Sequence, residues 1–165
     1  MITKVIVRSR EYLTENLPNL STKSNHYFIS VIDPLAEPLF KEDHSGAVTV
    51  RFDDVSPEMF DSTEHFAQIC AQMEEYGRPY QIFSEMMANQ IIDFVDNLQS
   101  SLTEIVLYVH CTLGVSRSGA IATFVAEICG LDGTSFAENN PQIHPNQLVL
   151  ERLRTAKKKA FRRES

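Results

Sequence analysis

The run Ile105-Val-Leu-Tyr-Val-His-Cys-Thr-Leu-Gly-Val-Ser-Arg-Ser-Gly119 changes character twice. Ile105 to Val109 is almost continuously apolar, as a strand buried on both faces requires. From Ser116 to Cys129 the chain is apolar on most sides of a helix, so that helix is read as buried, and Gly130 ends it. The loop between them holds Cys111 and Arg117, separated by five residues. A strand, a tight loop and a helix in that order put the thiol at the carboxyl end of the strand, where open α/β sheets bind ligands. Gly114 lets the backbone turn and expose its N–H groups. The helix start adds free N–H groups and the positive end of a dipole, a field that favours an anion and a thiolate alike. Arg117 can grip two oxygens in a planar fork, and Ser118 can hydrogen-bond the thiolate. Thr112, Leu113, Gly114, Val115 and Ser116 would form the cradle. This is the equipment of a phosphate-ester site, with a nucleophile beneath the phosphorus. A packed core thiol is the alternative reading of Cys111; the surrounding Gly, Arg and Ser favour the nucleophile.

Working outward, Ile2 to Val7 reads as a strand and Arg10 to Leu17 as a short helix closed by Pro18. His26 to Ile32 and Ala47 to Phe52 are β-branched and aromatic, and read as strands. Ser56-Pro57-Glu58 looks like a helix start, with a helical pattern running to about Tyr76. Gly77-Arg78-Pro79 breaks it, and Gln81 to Gln99 is an amphipathic helix. Gln147 to Phe161 is a last helix. The expected fold is α/β, a central and mostly parallel sheet of about four to five strands flanked by helices.

The 165 residues suit one domain with a sizeable core. It is read as 1–165, with a strand and lead-in over 1–25 and a basic tail over 156–165. Hydrophobic content of 43% and charged content of 22% are those of an ordinary soluble protein. A net charge of -7 disfavours nucleic acid as a partner, though a local site can still be positive. Three cysteines without framework spacing point to a reducing compartment, so a cytoplasmic location is the default expectation. Met1 to Arg8 is too short for a secretory apolar region, and no leader is expected. No apolar run approaches the roughly 20 residues that span a bilayer. The histidines lack metal-ligand spacing, so no metal site is expected.

Displacing an alkoxide or phenoxide from phosphorus calls for a proton donor. Asp53 and Asp54 end a predicted strand and open a loop, where such an acid would sit; a turn or capping pair is the alternative. Asp33, Asp61, Asp93 and Asp96 are weaker candidates, the last two read as solvated. Cys70 and Cys129 read as packed thiols, with an oxidative disulfide to Cys111 as the alternative. The basic residues of the tail read as a solvated helix end, with a docking patch for an acidic partner as the alternative.

His110-Cys111-x5-Arg117-Ser118 resembles the signature loop of the protein tyrosine phosphatase superfamily, in its dual-specificity branch. Arg51-Phe52-Asp53-Asp54 is similar to that family's general-acid loop, and His144-Pro145-Asn146 to the Pro-Asn that opens a late helix. The resemblance runs from about residue 26 to 155. It implies a phosphatase acting on phosphotyrosine, with phosphoserine and phosphothreonine as further candidates, in phosphorylated proteins or peptides. It implies a phosphocysteine on Cys111, Asp54 as the acid with Asp53 as the alternative, and no cofactor. It implies loop support from His110 and Asn146. The stretch between Asp54 and Cys111 is longer than the family pattern, and the excess falls near residues 64–84, as a helix over the site or a peripheral elaboration. The loop interior carries no Lys or His, which counts against inositol phosphates and phosphoinositides. A phosphate-binding pseudophosphatase, an RNA 5′ phosphatase, a phosphoinositide phosphatase and a sulfur transferase are the competing functions.

Overall fold

A computed structural model describes residues 1–164, with side chains as far as Arg162; the end of the basic tail, 163–165, lies outside the described side chains. Four strands, β1 (Ile2–Ser9), β2 (His26–Ile32), β3 (Ala47–Arg51) and β4 (Ile105–Cys111), form one sheet in the order β1-β4-β2-β3. Every pairing is parallel. The strand with the most continuous apolar run, β4, is an interior one. Its side chains alternate between two helical layers, as strand geometry dictates. Leu107 and Val109 face a core shared with α3 (Glu85–Gln99), α4 (Arg117–Ile128) and α6 (Gln147–Glu164). Tyr108 faces the other way, joining Ile6, Phe28, Phe40 and Leu13 of α1 (Arg10–Leu20). Burial of side chains such as Ile91, Val95 and Leu153 contributes about 1.5–3 kcal/mol each. The expected α/β architecture is the one found, with four strands.

Several element boundaries differ from expectation. Pro18 does not close α1, which runs on to Leu20. Proline forfeits one N–H in the last turns, and Ser21 N–H then closes on the Leu17 carbonyl at 2.9 Å. The single helix expected from Ser56 is two elements. Pro57–Met59 is one 3-10 turn, Phe60 is extended, and α2 spans Thr63–Glu75. Ser62 is the better cap, its hydroxyl accepting from His65 N at 3.0 Å, and Phe60 packs against Phe66 across the junction. The next helix, α3, starts at Glu85 rather than Gln81. Ser84 caps it, and residue 81 is held instead by Asp53, whose N–H donates to the Gln81 carbonyl at 2.8 Å.

A further helix, α5 (Gly133–Asn139), was not expected; Asp132 caps it. It delivers Asn140 to the edge strand β1. The Asn140 amide accepts from Val7 N at 2.6 Å and donates to Val5 O at 3.0 Å, with only 1% of the residue exposed. It covers part of an otherwise open sheet edge, and removing it would strand two buried backbone groups at about 1–3 kcal/mol each. In the tail, Lys157 and Lys159 pair with Asp96 and Glu85 of α3. Those two cations, and Asp96, are therefore engaged across α3 and α6 and not simply solvated.

Because all four strands run the same way, their carboxyl ends gather along one side. Ser9 stands opposite Cys111, and Ile32 opposite Arg51. The segments that follow these strands therefore meet there.

Candidate active site

Cys111 is the last residue of β4, and the loop 112–116 leads straight into α4. Gly114 has φ +72°, and a Cβ there would lie 2.5 Å from the Arg8 carbonyl carbon, so glycine is required on both counts. The loop turns its carbonyls toward the body of the protein. Thr112 O accepts from Arg10 N at 3.2 Å, Val115 O from His144 N at 3.0 Å, and Ser116 O from Asn146 N at 3.2 Å. Among the described residues, the N–H groups of 112–116 donate to no protein acceptor. Ser116 occupies the N-cap position of α4 without capping it, because its hydroxyl donates to Asp54 Oδ1 at 2.8 Å. The first N–H groups of α4 stay open as well. The result is a concave set of free donors around the thiol, which suits a tetrahedral oxyanion.

Cys111 is 3% exposed, and its Sγ lies 3.0 Å from Ser118 Oγ. Arg117 is also buried, its side chain 5% exposed. One end of its guanidinium is anchored: Nη1 donates to Asp33 Oδ1 and to Phe52 O, both at 2.8 Å. Nη2 donates to Thr112 Oγ1 at 3.1 Å, and Nε has no partner. The edge formed by Nε and Nη2 is the one that grips two oxygens side by side. Asp33 thus holds the arginine and offsets the burial of its charge, while the Thr112 hydroxyl bridges to Asp33 Oδ2 at 3.3 Å. By sequence alone Asp33 is only a weak acid candidate, and Thr112 counts only as part of the cradle. The signal was available: Asp33 directly follows a predicted strand, and the carboxyl end of any parallel neighbour of β4 faces the loop.

The aspartate pair diverges. Asp54 turns to the loop, its Oδ1 accepting from Ser116 Oγ at 2.8 Å and from Asn146 Nδ2 at 2.9 Å. Asp53 turns away, its Oδ2 accepting from Gln81 N at 2.7 Å. Asn146 joins three elements: besides Asp54 it reaches Val55 O at 3.3 Å and accepts from Val149 N in the first turn of α6 at 3.2 Å. Leu113 projects from the loop rim, 76% exposed.

His110 is fully buried and meets Ser30 Oγ through Nε2 at 2.7 Å, tying β4 to β2 beneath the loop. Nδ1 lies by the Cys111 backbone, short of full hydrogen-bond geometry. Burial, aided by Arg10 and Arg117, pushes its pKa from 6.5 down to about 4, so the imidazole is neutral near pH 7. The unfolded chain therefore takes up a proton below pH 6.5 that the folded chain refuses. This stabilisation is complete above pH 6.5 and is lost progressively down to about pH 4, by roughly 3 kcal/mol. His26, also lowered chiefly by burial, adds to the same trend. Urea unfolding of the native chain and of His110→Gln at pH 7 and pH 4.5 checks it: the variant should lose much of the pH slope, and an unchanged slope would refute the assignment.

All three cysteines are free. Cys129 follows the 12 residues of α4, about 18 Å from the loop, which rules out its disulfide with Cys111. Burial raises its pKa to about 11, consistent with an inert packed thiol. Among the described residues, no helix is long and apolar enough to cross a membrane, and no cluster of His, Cys, Asp or Glu could hold a metal ion.

The backbone has a relative among solved structures. The chain has the fold of a tyrosine phosphatase-like protein. The crystal structure of human tyrosine phosphatase-like serine/threonine/tyrosine-interacting protein aligns over 95% of this chain and 93% of its own, with a TM-score of 0.56 and 17% sequence identity. No family model and no curated protein matches the sequence. At this identity the phosphatase-like fold is what the two chains share. The chemistry rests on this chain's own residues.

Proposed function

We propose that the protein is a cysteine-dependent phosphatase that hydrolyses phosphate monoesters of phosphorylated tyrosine, with serine and threonine esters as further substrates. The observation that carries this reading is the pairing of the Cys111–Ser118 contact with unpartnered N–H groups around it and the unpartnered Arg117 Nε beside it. In the first step Cys111 Sγ bonds to phosphorus as the ester P–O bond breaks. The departing oxygen takes a proton from Asp54. In the second, Asp54 accepts a proton from water as that water attacks phosphorus and the S–P bond breaks. The Ser118 hydroxyl then stabilises the returning thiolate. The N–H cradle and the Nε–Nη2 edge of Arg117 hold the three non-bridging oxygens throughout.

Both donors to Asp54 fall on Oδ1, which supports Oδ2 as the proton carrier. Asp54→Ala should lower turnover of an aryl phosphate by about 10²-fold or more, against a few-fold for Asp53→Ala. The reverse ranking would make Asp53 the acid. A second reading, a phosphate-binding module, accords with the similarity to a human tyrosine phosphatase-like, serine/threonine/tyrosine-interacting protein. Such a binder needs the cradle and Arg117 but has no use for a thiol–hydroxyl pair or a facing carboxylate. Hydrolysis of p-nitrophenyl phosphate by the purified chain, unaffected by chelator, decides between the two; binding of phosphate without turnover would favour the binder.

A further inference from the structure

We propose that the cleft beside the cradle is a subsite for a basic side chain, carried by a polypeptide substrate next to its phosphorylated residue. The inference rests on the phosphatase reading and names its substrate class. The cleft encloses about 690 Å³ and is lined by Asp33, Leu35, Asp53, Met73, Arg78 and Tyr80 among others. It adjoins the phosphate site through two of these. Asp33 anchors Arg117, and Asp53 directly precedes Asp54.

Its far wall is Met73 and the segment 77–81, part of the stretch that exceeds the family pattern. No residue of α2 is fully buried, so this helix contributes little to the core and is free to serve a surface. Two carboxylates, Asp53 and the Arg117-paired Asp33, line the cleft together with one cation, Arg78. Asp33 keeps 54% of its side chain exposed although it is bonded to Arg117. Asp53 is bonded to the Gln81 amide through one oxygen only. Leu35 (97% exposed), Met73, Pro79 and the Tyr80 ring supply apolar surface. Apolar surface and carboxylates in one cleft suit the methylene stem and charged head of lysine or arginine, with the Tyr80 ring in the same lining. Glu74 and Glu75, which follow the lining residue Met73 in sequence, are exposed as well. Arg78 at the rim is the single opposing charge in the lining. An acidic flanking residue would face the Asp53 carboxylate and the exposed part of Asp33.

The test uses two phosphotyrosine peptides that differ only in lysine or glutamate beside the phosphotyrosine. The full chain should prefer the lysine peptide by roughly ten-fold in kcat/KM, and the preference should shrink with added salt. Tyr80→Ala should weaken it, and Met73→Lys, which places a cation in the cleft, should abolish or reverse it. Both variants should keep p-nitrophenyl phosphate turnover within about two-fold and unfold at the native temperature. Equal use of the two peptides, or a preference that survives both variants, overturns the subsite while leaving the phosphatase reading intact. Fluorescence-polarisation binding of the same peptides to Cys111→Ser reads the preference without turnover. The same lysine preference there supports the subsite even for a chain that does not hydrolyse phosphate, and equal binding overturns it.

Discussion

Cys111→Ser is expected to lower p-nitrophenyl phosphate hydrolysis by at least about 10⁴-fold, while inorganic phosphate still raises the thermal unfolding temperature. The two halves of this expectation come from different parts of the site. Binding belongs to the N–H cradle and Arg117, which the substitution leaves in place. Chemistry belongs to the sulfur. A serine hydroxyl at this position stays protonated unless a base takes its proton, and among the described residues no base is hydrogen-bonded to Cys111. Its neighbour is another hydroxyl, Ser118 Oγ, 3.0 Å from the native sulfur. His110 adjoins it in sequence but spends Nε2 on Ser30, on the far side of the strand's end. Turnover within ten-fold of the native rate would mean that Cys111 is not the nucleophile.

Arg117→Lys should cost about 10³-fold in kcat/KM for the same substrate, although the charge is conserved. Lysine presents a point charge in place of the planar fork, so the two-oxygen grip of Nε and Nη2 goes. The anchor goes with it, since Nη1 holds both Asp33 Oδ1 and Phe52 O at 2.8 Å. One ammonium cannot reach both of those acceptors and a phosphoryl group as well. The Asp33 carboxylate is then left facing the cradle with a weaker partner, and it repels the incoming phosphate. Steady-state kinetics should show the loss mainly in kcat, because the grip tightens as charge develops on the phosphoryl oxygens. A loss below ten-fold would place the oxyanion contacts on the backbone alone.

The parts of the site that could be read in advance are those packed into one short stretch of chain. Cys111, Gly114, Arg117 and Ser118 lie within eight residues, and a strand, a turn and a helix start constrain one another over that distance. The helix ends were legible only where the capping signal was unambiguous. Gly130 marked the end of α4, whereas Ser56-Pro57 competed with Ser62 and lost, because Phe60 and Phe66 pack across the second site. Helix α5 leaves little trace in the sequence because seven residues carry little periodicity, and the contact it serves, Asn140 on β1, spans 133 residues.

The sequence by itself determined the layered α/β class, the strand that carries the thiol and the turn of the loop behind it. Those follow from hydrophobic period, backbone freedom at one glycine and side-chain type, all of which act between near neighbours. Only the tertiary structure decided which carboxylates meet the loop. Asp33, Asp53 and Asp54 follow strands whose order in the sheet no local rule sets. The side on which each falls depends on long-range packing: β2 lies directly beside β4, β3 lies beyond it, and the 77–81 segment binds Asp53 and leaves Asp54 to Ser116 and Asn146.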